Sequence, residues 1–402
     1  MAAQERKGRG DGGDSGRGTP SAAPTPQIAQ ATSRSQAVTV EYDFGRALAV
    51  SVEGIRTANV RVQKAGGRQD EPTAWVQATV GSWSTTLHSR LHVESSINTS
   101  GEYALALRVE SSIWDLGMTS AEITIALCAR PGDATEHPGI RVAVPSGAIG
   151  VTLLGDTPVR RLDLATDHGP AHLSDVAVGD LRLAAHHGNI TVHDVCASGA
   201  ADITGHGAWM DIDDVRAARL TAASTDAIIS LKDVDAAAVS ATTTNARIGL
   251  GNVRADSLHV QTTAGDVVAS NVRAAACDVK TDRGGAIEGG WGPAARLHMS
   301  TADARIAVQV HIDPDGPLDL ALATKRAPVE VDLPPSFSGA FSLQTTGYYK
   351  TFVYTHPRVA ASPVLHVAQP DKKVGVLDAG GIRHSLKATS EEAPVTVNFG
   401  SL

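Results

Sequence analysis

From Val38 onward, apolar residues alternate with small or polar ones over short distances. Leu48, Val50 and Val52 are one such series, and Ile123, Ile125 and Leu127 are another. These runs are β-branched and bounded by Gly, Pro or Asp, as half-buried strands are. No stretch downstream carries the spacing of a helix. The pattern predicts an all-β protein.

Beyond Val159 the alternation acquires a period. Each unit has two alternating apolar residues, a small or hydroxyl residue, a turn, two more apolar residues, and then Asp-Val or Asn-Val. The turn residue falls at Gly169, Gly188, Gly207, Asp226, Asn245, Gly265 and Gly284. The closing valine falls at Val176, Val195, Val215, Val234, Val253 and Val272. Two independent markers therefore keep one period of about 19 residues, the mark of a solenoid. Aligning the units yields columns: Leu173, Val192, Ile212, Leu231, Leu250 and Ala269 in one, and Leu162, Leu181, Ala201, Leu220, Val239, Leu258 and Cys277 in another. Ser224, Thr243, Thr262, Thr281 and Thr301 make a third. In a parallel β-helix each column becomes a ladder, with rungs about 4.8 Å apart.

The flanks differ from the repeats. Only 4% of the chain is aromatic, against 42% hydrophobic overall. Between 151 and 335 the aromatics are Trp209 and Trp291, whereas Phe337, Phe341, Tyr348, Tyr349, Phe352 and Tyr354 crowd one run. The division expected is a disordered tail over 1–37, too poor in apolar residues to offset ordering entropy. A β-rich N-terminal cap follows over 38–150, then the regular solenoid over 151–335, then an aromatic-rich cap with a final coil over 336–402. The aromatic run reads as the plug that closes the solenoid end.

Charge and cysteine content narrow the function. A formal net charge of −8 argues against a general nucleic-acid binder. Three cysteines exclude a disulfide-built scaffold. No apolar run reaches membrane-spanning length, and the opening residues show no leader. The expected location is cytoplasmic by default, with the cell surface as the alternative.

The segment from Val142 to Gly147, then Gly155, then the recurring Leu-x-Leu-x-Thr-x-x-Gly-x-Ile-x-Leu-x-Asp-Val grammar resembles the putative adhesin domain family. The resemblance covers about 38–402 and is strongest over 142–333. It implies a β-solenoid, found in bacteria and fungi, with no established biochemical activity and no family site residues to carry over.

Several positions carry candidate chemistry. His168, His187 and His206 precede the turn in successive units and predict a stacked imidazole ladder, with His172, His186 and His193 in the same coils. Such a ladder suits a ligand or a transition metal, or a turn that tolerates histidine. Asp175, Asp194, Asp214, Asp233, Asn252 and Asn271 form a second ladder. At the second-to-third coil, Asp211, Asp213 and Asp214 are the best calcium candidate; the structural alternative for the ladder is an Asx turn. Trp209 should project outward as a binding anchor, and Tyr348 and Tyr349 are further binding candidates. Cys277 and Cys128 read as buried and Cys196 as exposed, with no relay for catalysis. No phosphate loop or cofactor motif is present.

The reading is a non-catalytic, adhesin-like binding or scaffold protein, monomeric or weakly associated end to end, with a protein or glycan partner. The alternatives are a polysaccharide-acting β-helix enzyme and an intracellular self-assembling solenoid.

Overall fold

The computed structural model describes residues 27–31, 35–42, 47–53, 57–64, 73–82, 90–97, 102–110, 119–128, 137–152, 159–207, 209–313, 316–346, 348–357, 359, 361–378 and 383–401. Among these residues every regular element is a strand, and no helix is long and apolar enough to cross a membrane.

The columns read from the sequence are ladders. Leu162 pairs with Leu181, Leu181 with Ala201, Ala201 with Leu220, Leu220 with Val239, Val239 with Leu258 and Leu258 with Cys277, all parallel. Each of these side chains is buried. The second column, from Leu173 to Ala269, is in register in the same way. A third side of each coil is closed by small residues such as Ala197, Ala236 and Ala274, also buried. The interior is therefore narrow, and this explains why the repeats use aliphatic side chains and almost no aromatics.

Two corners are built by side-chain chemistry. The hydroxyl column turns inward: Thr243 donates to the Ala227 carbonyl at 3.3 Å, Thr281 to Gly285 at 2.6 Å and Thr301 to Gly285 at 3.2 Å. The hydroxyls thus bond turn carbonyls, two of them sharing that of Gly285, as buried polar groups require. The Asx column has a backbone reason. Asp175, Asp194, Asp214, Asp233, Asn252 and Asn271 all have φ between 48° and 56°. Among side chains other than glycine, Asp and Asn tolerate this left-handed conformation best.

Both ends depart from sequential stacking. The coil formed by Leu48–Glu53 and Thr57–Lys64 lies between the coil of Tyr103–Glu110 and Thr119–Cys128 and that of Ile140–Ser146 and Ile149–Thr152. At the other end, His384–Ser390 and Val395–Phe399 insert between the coil of Leu318–Thr324 and Val329–Leu333 and that of Gly339–Thr345 and Thr351–Thr355. The final coil in sequence is thus not the outermost in space. Antiparallel strands then blunt the stack, Arg90–Ile97 and Thr73–Ser82 at one end, Lys372–Leu377 and Val364–Ala368 at the other.

Two boundaries need correction. Residues 1–26 of the expected tail lie outside the described residues. Gln27–Ala31 is a strand paired antiparallel with Ser35–Tyr42, bringing Ile28 opposite Val38, so the sheet reaches into the segment read as tail. The aromatic plug is also smaller than its run. Phe337, Phe341 and Phe399 are buried and pack at 5.4–5.5 Å between ring centroids. Tyr348, Tyr349, Phe352 and Tyr354 remain exposed, because strand alternation past Thr351 turns Phe352 and Tyr354 away from the core.

Candidate functional site

The histidine ladder exists. His168 and His187 stack with ring centroids 4.9 Å apart and planes 10° from parallel, and His206 meets His187 edge-on at 5.6 Å. The rings border an open recess with Asp167, His186 and Gly205, where His186 Nδ1 lies 2.9 Å from Asp167 Oδ1. Rings stacked on successive rungs do not converge on one point. Among the described residues no group of three or more His, Cys, Asp or Glu is arranged to hold a metal ion. His172 and His193 lie on two successive strands, Ala171–Ala185 and Ile190–Gly205, and His193 Nδ1 is 3.5 Å from Asp213 Oδ2.

The three aspartates are likewise not brought together. Asp211 and Asp213 alternate with buried Ile212 on one strand, in register with Thr191 and His193 of the preceding coil. Asp214 occupies the left-handed corner that follows them, at φ 48°. The Asx column forms hydrogen bonds along its length: Asn252 Nδ2 donates to Asp233 Oδ1, and Asn271 Nδ2 to Asn252 Oδ1, both at 2.9 Å. That arrangement serves the corner.

The cysteines behave as read where they are described. Cys277 is buried and Cys196 exposed, while the Cys128 side chain lies outside the described residues. Burial, reinforced by Asp278, pushes the Cys277 thiol up to about 12, which keeps it a protonated core residue.

Exposed hydrophobic surface concentrates in two places. Trp209 is 56% exposed and in line with Ile228 of the next coil, also exposed. The larger group is C-terminal: Tyr348, Tyr349, Phe352, Tyr354, Val364 and Leu365. Phe352 and Tyr354 are one residue apart on Thr351–Thr355, so they share a face. Their rings are 6.2 Å apart and 6° from parallel. Across the ladder Phe352 is opposite Thr396 and Tyr354 opposite Asn398. One strand further are Glu330 and Asp332. Asn398 Nδ2 donates to Asp332 Oδ1 at 2.8 Å, and Arg305 holds Glu330 at 2.5 Å. Sequence reasoning missed these four neighbours, because only the interposed final coil brings Thr396 and Asn398 beside the aromatics.

No curated protein matches the chain. Among solved structures, a putative cell adhesion protein from Clostridium sporogenes is 7% identical, covering 93% of this chain and 100% of its own, at a TM-score of 0.17. A putative lipid binding protein from Parabacteroides distasonis is 8% identical over 90% and 96%, at 0.26. A putative adhesin from Parabacteroides merdae is 9% identical over 75% and 92%, at 0.18. Likenesses of this size carry no function across. The Toastrack DUF4097 family model matches residues 119–286, the span in which the parallel ladders become regular. Over residues 119–286 the chain is thus similar to the Toastrack family, and its repeats fall within and beyond that span.

Proposed function

We propose that the protein is a non-catalytic, adhesin-like binding module whose solenoid is a rigid scaffold for surface recognition. One observation carries this reading. Among the described residues, six of the eight large hydrophobic side chains that stand exposed lie between Tyr348 and Leu365. In a chain so poor in aromatics, a local group of exposed rings costs solubility and is a mark of an interaction surface. The ladders behind it are stiff and continuous, as a presenting scaffold requires.

The test is capture without turnover. Immobilised protein should retain a soluble polysaccharide or protein ligand saturably and release it unchanged. Time-dependent appearance of new reducing ends or unsaturated sugars would replace this reading with that of a polysaccharide-acting enzyme.

A further inference from the structure

We propose that Phe352 and Tyr354, with Thr396, Asn398 and Asp332 beside them, form a binding surface for a neutral, pyranose-based polysaccharide. This rests on the binding-module reading and names the ligand chemistry for one end of it.

The platform is built by strand geometry. Residues i and i+2 of a strand face the same way, so the two rings of Thr351–Thr355 stack, with centroids 6.2 Å apart and planes 6° from parallel. Phe352 is 37% and Tyr354 56% exposed. Such rings offer flat apolar area in a fixed orientation, and the tyrosine adds a hydroxyl at its rim. The axial C–H faces of a pyranose match that area. Its equatorial hydroxyls then need donors and acceptors at the edge of the platform.

Those groups lie on the neighbouring strands. Thr396 and Asn398 are opposite the two aromatics, and Glu330 and Asp332 continue the same two columns. The spacing from one strand to the next is about 4.8 Å, so one sugar ring on the aromatics reaches the Thr396 and Asn398 row. The Asn398–Asp332 hydrogen bond fixes the amide, leaving its oxygen as an oriented acceptor. Arg305 neutralises Glu330, whereas among the described residues Asp332 has no cation at ion-pair distance. A carboxylate at that position repels uronic acids, which selects a neutral glycan.

A second copy of the chain fits this surface less well. The adjoining strand edges are blunted. The Thr351 amide donates to Pro370, and Val364–Ala368 carries a register shift between Leu365 and Val367.

Affinity electrophoresis of the full chain tests the proposal, in gels containing hydroxyethyl cellulose, laminarin or glucomannan, with polygalacturonate as the anionic probe. Retardation by at least one neutral glycan is expected, and not by polygalacturonate. Phe352→Ala and Tyr354→Ala should each weaken it by about tenfold or more, about 1.4 kcal/mol. Asn398→Ala should weaken it without changing the thermal melt, and Ile228→Ser, an exposed aliphatic position on the central coils, should leave it intact. Retardation unaffected by the two aromatic substitutions, or seen with polygalacturonate alone, overturns the proposal. So does its absence in every gel, and so does concentration-dependent dimerisation that Tyr354→Ala abolishes. New reducing ends formed while the aromatic variants still lose retention would overturn the non-catalytic reading and leave the platform standing.

Discussion

Lys373 donates its ammonium to the main-chain carbonyl of Thr351 at 2.7 Å and lies 3.3 Å from that residue's hydroxyl. The carbonyl belongs to the outer edge of Thr351–Thr355, which pairs on its other side with Val395–Phe399. A lysine thus occupies a position that another chain's strand would otherwise seek, a common protection for sheet edges. Lys373→Met keeps much of the bulk and removes the donor. Sedimentation velocity should then show association that grows with protein concentration, and a variant that stays monomeric over the same range as wild type would deny Lys373 this role.

The turn glycines are not equivalent. A Cβ on Gly265 would lie 1.8 Å from the Ala246 carbonyl oxygen, while one on Gly284 meets nothing within 4 Å. Gly265→Ala forces two coils apart and should cost about 2–4 kcal/mol. Gly284→Ala carries only the strain of its positive φ, about 1 kcal/mol. Chemical denaturation of the pair decides the matter, and equal losses would contradict the packing argument.

At the Asx corner, conformation should outweigh hydrogen bonding. Asn271 has φ 56°, so Asn271→Gly should stay within about 0.5 kcal/mol of wild type. A β-branched Asn271→Val should lose about 1–2 kcal/mol. If valine proves as stable as glycine in urea titrations, the left-handed backbone is not what the column preserves.

His137 is fully buried, and burial lowers its pKa to about 4. The unfolded chain, with an ordinary value near 6.5, binds the additional proton between those limits. Stability is therefore level above about pH 6.5 and falls as pH drops toward 4, with about 2 kcal/mol lost by pH 5. His384 acts in the same direction, its pKa lowered by burial and then by Arg383. Urea midpoints at pH 7.5 and 5.0 should differ in wild type and converge in His137→Gln. An unchanged difference in the variant would place the titration elsewhere.

How much of this the sequence revealed depended on whether a residue's neighbours repeat. Leu162 through Cys277 could be placed because each has an equivalent one period away, and the histidine stack followed from the same arithmetic. The period also marked Asp214 and Asn271 as equivalent, yet whether they bind an ion or form a turn depends on backbone dihedrals that composition does not encode. The aromatic run was misread in part because Phe337 and Phe341 do form the plug, while the change of direction at Thr351 exposes Phe352 and Tyr354. That Thr396 and Asn398 neighbour those rings was not legible in the sequence. The matching Ala-Pro-Val segments mark Glu330 and Thr396 as equivalent positions, but no periodicity signals that the last coil also stacks beside Thr351–Thr355.

That stacking order also bears on synthesis. Val395–Phe399 is bounded on both sides by strands that leave the ribosome earlier, Val329–Leu333 and Thr351–Thr355. Until Val395–Phe399 has emerged, those two strands lack the element that joins them. This end of the solenoid must therefore close by insertion rather than by adding one more layer, and a chain stopped before Val395 would leave the gap open, with Phe337 and Phe341 deprived of Phe399.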